Sequence, residues 1–179
     1  MCCMETNPIE NIEKHRAELL GKINTAIASL GSNRKWNELP EFLPEYKLIK
    51  GKRVLMVDDS TYTIEDFIPY LMVATDGNMQ FVLHKEDQTS GGLLRAILDS
   101  KPNPDIVLLD YSLANGVEGP NIAEHLQIGG FEAKIFGFSS ESDYKLRFKR
   151  AGFGFVYKSS TDLEGSVKNL ARLLENQKT

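Results

Sequence analysis

Residues 54–60 read VLMVDDS, four apolar residues running straight into two adjacent carboxylates, Asp58 and Asp59. Like charges side by side repel, and each loses hydration where a chain folds around it, so a fold that keeps them together usually has a cation for them to hold. Similar apolar runs recur downstream at 79–83, 106–109, 135–138 and 153–157. They are short and β-branched or aromatic, which predicts strands buried on both faces. Between them, GGLLRAILDS, PNIAEHLQIGG and SDYKLRFKRAG are long enough for crossover helices, the last two closing in the glycines that follow a helix C-terminus. Residues 160–176 add an amphipathic helix with Leu163, Val167, Leu170 and Leu174 three or four apart. Strands alternating with helices call for right-handed crossovers and a parallel sheet. The expected fold is therefore α/β, a doubly wound five-stranded parallel sheet of the flavodoxin-like (βα)5 type. Sites in such sheets lie outside the carboxyl ends of the strands, near a switch in strand order.

The first 50 residues differ in kind. Ile9, Ile12, Leu19, Ile23, Ala26 and Leu30 follow a 3,4 repeat interrupted by Arg16, which predicts one helix over about 8–30. The stretch after it reads as a linker, with Gly31, Pro40 and Pro44 stopping any helix and Trp36, Phe42 and Tyr46 available to pin it to a surface. The expected division is 1–50, an N-terminal helical extension and linker, and 51–179, the α/β domain. The helix has two readings: its stripe packs on its own domain or simply frays, or it serves as a coiled-coil or partner-binding helix.

With 179 residues, 41% hydrophobic and 26% charged, the chain suits one well-buried core. It has no apolar run long enough for a membrane span, and MCCMETNPIE lacks the regions of a signal peptide, so no membrane association and a cytoplasmic location are expected. Cys2 and Cys3 are adjacent, a poor geometry for a structural disulfide. Residues 1–50 are charge-balanced, seven basic against seven acidic. The net charge of −4 therefore arises from residue 51 onward, where 14 of the 21 basic and 18 of the 25 acidic residues lie. An acidic domain is ill suited to tracking a phosphate backbone, so direct nucleic-acid binding is not expected.

Polar residues close each predicted strand of interest: Asp58 and Asp59 the first, Asp110 the third in IVLLDYSL, Ser139 the fourth in KIFGFSS, Lys158 the fifth in FGFVYKSS. Singly these are ordinary, since paired acids often sit on a solvated turn and a strand-end aspartate often caps a helix. Jointly, they bring several loops to one sheet edge. Three carboxylates with a backbone carbonyl and water would satisfy Mg²⁺. A Lys158 ammonium can neutralise remaining charge and that of a phosphoryl group in transfer, and the Ser139 hydroxyl can donate to a phosphoryl oxygen.

Over about residues 51–176 the sequence resembles the receiver domains of two-component response regulators, the chemotaxis-regulator-like family. The resemblance rests on VLMVDDS, IVLLDYSL, GFSS and FVYKSS. It implies that Asp110 accepts a phosphoryl group from a phosphohistidine on a sensor histidine kinase or phosphotransfer protein. Asp59 and Asp110 would hold Mg²⁺ with the Ser112 carbonyl, and Asp58 would contribute through water. It further implies a switch in which Ser139 moves toward the phosphoryl group while Phe155 changes rotamer. This would bias two packings of the face made by the family's fourth helix, fifth strand and fifth helix, which a downstream protein target reads. Homodimerisation through that face or through the N-terminal helix is compatible with this scheme. There are departures: Ser159 replaces the proline common after the lysine, and the loop YSLANGVEG has no proline and places Gly119 nine residues after Asp110.

The leading expectation is a phosphoacceptor response regulator without a DNA-binding output domain, not an enzyme beyond self-catalysed phosphotransfer and dephosphorylation. The alternative is a phosphate-independent pseudo-receiver acting as a protein-binding module. A phosphatase with an aspartyl nucleophile would need a second aspartate two residues on, where Ser112 stands. His15 lacks the four-helix bundle of a phosphotransfer histidine, and His84 and His125 read as structural. The basic run with Lys145, Arg147, Lys149 and Arg150 reads as a solvated helix face or, less simply, a docking patch for an acidic partner.

Overall fold

The computed structural model describes residues 8–176, so Cys2 and Cys3 lie outside the described residues. Helix α1 (Pro8–Ser29) leads into the alternating part: β1 (Val54–Asp58), α2 (Thr61–Thr75), β2 (Met79–Leu83), α3 (Ser90–Leu98) and β3 (Ile106–Leu109). A hairpin of β4 (Ser112–Leu113) and β5 (Val117–Glu118) follows, then α4 (Gly119–Ile128), β6 (Lys134–Ser139), α5 (Tyr144–Arg150), β7 (Gly154–Tyr157) and α6 (Leu163–Glu175). The main sheet has five parallel strands in the order β2-β1-β3-β6-β7. The chain leaves β1 toward β2 and later returns to the other side of β1 for β3. The switch in strand order thus falls between β1 and β3, at the carboxyl ends where Asp58 and Asp110 stand.

The helices begin where side chains cap them. The Ser60 hydroxyl accepts from the Thr63 N–H at 3.2 Å, Thr89 from Gly92 at 3.1 Å, and Asp162 from Gly165 at 2.7 Å. One layer buries β1, β3 and β6 side chains such as Met56, Leu108 and Phe138 under α2 and α6; the other buries Leu55, Val107 and Ile135 under α3, α4 and α5.

Some expectations change. The strands are not all buried on both faces: β1 and β3 are, but β2 is mostly half-buried and β7 ends in exposed Tyr157, because these two strands form the sheet edges. The loop after Asp110, read simply as a long loop, folds into the β4–β5 hairpin, turned by Asn115 and Gly116 at positive φ.

The N-terminal residues pack on the same core. Leu19, Ile23 and Ile27 of α1 are buried with α2, while Ile9 and Ile12 on the first turns stay exposed. Asn24 and Trp36 bind reciprocally: the Asn24 amide donates to the Trp36 carbonyl at 3.0 Å, and the Trp36 N–H donates to Asn24 Oδ1 at 2.9 Å. Pro44, read as a helix stop, instead starts a short 3₁₀ turn (Pro44–Leu48), since a missing N–H costs nothing at a first helical position. That turn buries Tyr46 against α6. His15 meets Asp76, the left-handed cap of α2, at 2.7 Å.

Ile23→Ala should therefore cost about 2–5 kcal/mol of unfolding free energy, whereas Ile12→Ala, at a position 60% exposed, should change it by no more than about 0.5 kcal/mol. Urea denaturation of both variants checks this; equal effects would mean α1 is not part of the core.

Candidate functional site

β1 delivers Asp58 and Asp59, β3 delivers Asp110 and β7 delivers Lys158, all to one end of the sheet. The Asp110 N–H donates to the Val57 carbonyl at 3.0 Å, which fixes the residue at the β1–β3 junction. Carboxylate oxygens of Asp58, Asp59 and Asp110 lie within 4.8 Å of one another. Asp58 and Asp110 are buried and Asp59 is exposed. The Lys158 ammonium donates to Asp58 Oδ2 at 2.7 Å and to Asp110 Oδ1 at 2.9 Å. The other oxygen of Asp58 accepts the Ser60 N–H at 2.9 Å.

Three carboxylates face one ammonium, and the electrostatics show the imbalance. Burial, reinforced by Asp58 and only partly offset by Lys158, pushes the Asp110 carboxyl up to about 6. Burial and the Asp58 charge likewise raise Asp59. Burial works against the Lys158 charge, but Asp58 and Asp110 outweigh it and hold the ammonium above its ordinary value. A partly buried, oxygen-only acidic cluster with too little positive charge is a donor set that fits a hard divalent cation.

The other expected residues are placed as follows. Ser139 ends β6, buried, and its carbonyl accepts the Lys158 N–H at 2.9 Å; its hydroxyl takes no part in the hydrogen bonds that join Lys158 to the acids. Ser112 is the exposed first residue of β4. Phe155 lies in the opposite layer from α6, buried, its ring 6.2 Å from Phe148. Gly119 is required by a close approach, since a Cβ there would collide with the Asp110 carbonyl oxygen. Its N–H donates to the Tyr111 carbonyl at 2.8 Å, anchoring the start of α4 beside the site.

No family model matches the chain, and no curated protein matches it. Solved structures do. The response regulator protein TrrA from Thermotoga maritima, solved in complex with Mg²⁺–BeF, aligns with a TM-score of 0.52 at 22% identity, covering 69% of this chain and 98% of its own. A BeF3-activated DrrB receiver domain aligns at 0.53 and 16% identity, covering 69% and 97%. A LuxR-family two-component response regulator from Aurantimonas aligns at 0.52 and 24% identity, covering 70% and 86%. The fold is that of a receiver domain.

Within this receiver fold, two groups near the acids were not legible in the sequence. Tyr111 and Tyr144 stack, with ring centroids 3.6 Å apart and planes at 10°. An aromatic directly after a strand-end aspartate was the only signal for Tyr111; none marked Tyr144 as its partner, 33 residues on. His84, at the end of β2, is buried with Nε2 3.0 Å from the Gln88 carbonyl, and its backbone N–H donates to the Asp58 carbonyl at 2.9 Å. The Asn115 amide reaches the Glu86 carbonyl, tying the hairpin to the loop after β2.

The raised Asp110 value has a sign. Between the ordinary carboxylate value and about 6, the folded protein binds this proton more tightly than the unfolded chain, so stability falls as pH rises through that window. Without divalent cations, Asp110→Asn should raise Tm above pH 7 by roughly 3–6 °C, and the gain should vanish toward pH 4. Calorimetry across pH checks this; a variant less stable than the parent at pH 8 would show that Lys158 fully compensates the Asp110 charge.

Proposed function

We propose that the protein is a phosphoacceptor response regulator. An Asp110 carboxylate oxygen attacks the phosphorus of a phosphohistidine on a sensor kinase or phosphotransfer protein. The new P–O bond forms as the N–P bond breaks, and the histidine nitrogen leaves with its electron pair. The observation that carries this reading is the single Lys158 ammonium shared by Asp110 and Asp58 beside Asp59. It supplies a nucleophile, a fixed counter-charge and a surplus of oxygen ligands in one place. In-line phosphoryl transfer needs little beyond positioning and charge stabilisation.

Asp59, Asp110 and the Ser112 carbonyl would hold Mg²⁺, with Asp58 contributing through water, and the ion would offset charge on the transferring phosphoryl oxygens. Lys158 takes the remaining share, and the Ser139 hydroxyl donates to a phosphoryl oxygen. The output follows from the rearrangement of Ser139 and Phe155 and is read on the face of α5, β7 and α6. There Leu146 and Tyr157 are 59% and 48% exposed beside exposed Lys145, Arg147, Lys149 and Arg150, a surface suited to an acidic protein partner. No helix among the described residues is long and apolar enough to cross a membrane, in keeping with a cytoplasmic location. In this reading residues 51–179 are the receiver and residues 1–50 an extension whose described part, from residue 8 onward, packs on it.

Incubation with Mg²⁺ and acetyl phosphate, followed by intact-mass analysis, should give one added phosphoryl group. The adduct should be absent with chelator and absent in Asp110→Asn. A protein that gains no phosphoryl group and binds no Mg²⁺ would instead be a phosphate-independent binding module.

A further inference from the structure

The residue after Asp110 is tied to α5 by an aromatic contact that the phosphoryl-transfer chemistry does not need. Tyr111 and Tyr144 lie face to face. Tyr111 is buried and belongs to the backbone that carries Asp110, its carbonyl holding the Gly119 N–H. Tyr144 is the first residue of α5 and half-buried. That helix is seven residues long, and Phe148 is its only fully buried side chain. Phe148 seats directly on β6 because residue 137 is glycine; a Cβ there would collide with the ring. Phe148 thus fixes the middle of α5, and the tyrosine stack fixes its first turn.

The stack also joins the two loops that flank Asp110. On one side is the β4–β5 hairpin, where the Glu118 carboxylate sits near the Tyr111 hydroxyl. On the other is the β6–α5 loop, where Glu141 sits beside the Tyr144 hydroxyl. Tyr111 further meets the Phe148 ring edge-on at 6.3 Å, and Phe148 meets Phe155 at 6.2 Å, so the contact continues to β7. Parallel overlap at so short a distance is not the arrangement ring quadrupoles prefer. An aromatic pair at its preferred geometry shifts an equilibrium by only about two- to tenfold, and this one by no more. Such a contact holds the loops in place and opens at small cost.

We infer that the Tyr111–Tyr144 stack is a clamp joining the hairpin to α5 over Asp110, with Tyr144 a positioning residue that restrains access to the phosphoacceptor. This rests on the phosphoacceptor reading and names the group that restrains that site. Asp110 is only 6% exposed, so the loops that flank it bound the path by which donor and water arrive. Loosening the clamp speeds acquisition and loss of the phosphoryl group together.

The test compares the full chain with Tyr144→Phe, Tyr144→Leu and Tyr144→Ala by hydrogen–deuterium exchange and by acetyl phosphate kinetics in Mg²⁺. The Leu and Ala variants should raise exchange of amides in both 145–150 and 112–118 by about threefold or more, with β1 and β3 unchanged, and Phe should restore parental behaviour. Phosphoryl uptake and loss should both quicken by a similar factor in Leu and Ala, not in Phe. An exchange increase confined to α5 would overturn the clamp, because the two loops would then be uncoupled. Unchanged rates in a protein that does take up phosphate would overturn the positioning role. If the parental protein takes up no phosphoryl group, the phosphoacceptor reading fails, and coupled exchange alone decides whether the clamp exists. The Leu variant keeps apolar bulk at a half-buried position and serves if Ala does not fold.

Discussion

One ammonium organises the carboxyl edge of this sheet. Lys158 reaches from the end of β7 across β6 to the carboxylates at the ends of β1 and β3, binding residues 100 and 48 positions away in the chain. Charges this far from water do not automatically stabilise a fold. Desolvating them offsets much of the Coulomb gain, and removing one partner typically costs about 3–5 kcal/mol because the other is left buried and bare. Here the balance stays short of neutral, with Asp59 adjacent and Asp110 held near 6. A structure concerned only with stability would have little reason to keep a third carboxylate there. The donor set fits a ligand that brings positive charge.

The scaffold that carries the cluster is stiff where it must be. β1 and β3 are buried along their whole lengths, so the ends from which Asp58 and Asp110 project have little freedom. The surrounding loops are held by a second, softer set of contacts: the Asn115 amide on the loop after β2, Gly119 against the Asp110 backbone, and the aromatic series from Tyr144 through Tyr111 and Phe148 to Phe155. In the proposed phosphoacceptor reading, a rigid sheet edge bordered by such loops would let a charge change at one carboxylate alter the helices without disturbing the core.

Residues 8–50 are part of this economy. The buried half of α1 and the strap through Trp36 and Tyr46 cover apolar surface of α2 and α6 on the layer opposite α5. The face of α5 and β7 that carries the basic residues and exposed Leu146 and Tyr157 is left uncovered by them. Of the two readings open for the α1 stripe, packing on its own domain accounts for Leu19, Ile23 and Ile27. Arg16 marks where the stripe leaves the core, and Ile9 and Ile12 beyond it are exposed.

The sequence by itself determined the strand runs, their alternation with helices, the parallel sheet and the placement of Asp58, Asp59, Asp110, Ser139 and Lys158 at strand ends. All of these follow from periodicity and order along the chain, which are local properties. What the tertiary structure decided depends on residues distant in sequence meeting in space. Edge position, not composition, left β2 and β7 half-exposed. The hairpin after Asp110 arose from pairing of Ser112 with Glu118 and Leu113 with Val117. The Tyr111–Tyr144 stack and the raised Asp110 carboxyl came from burial and proximity, quantities no spacing of letters encodes. A pattern of residues can nominate the groups that meet at a sheet edge; only packing sets how much water and how many opposing charges they share, and those two terms fix the chemistry.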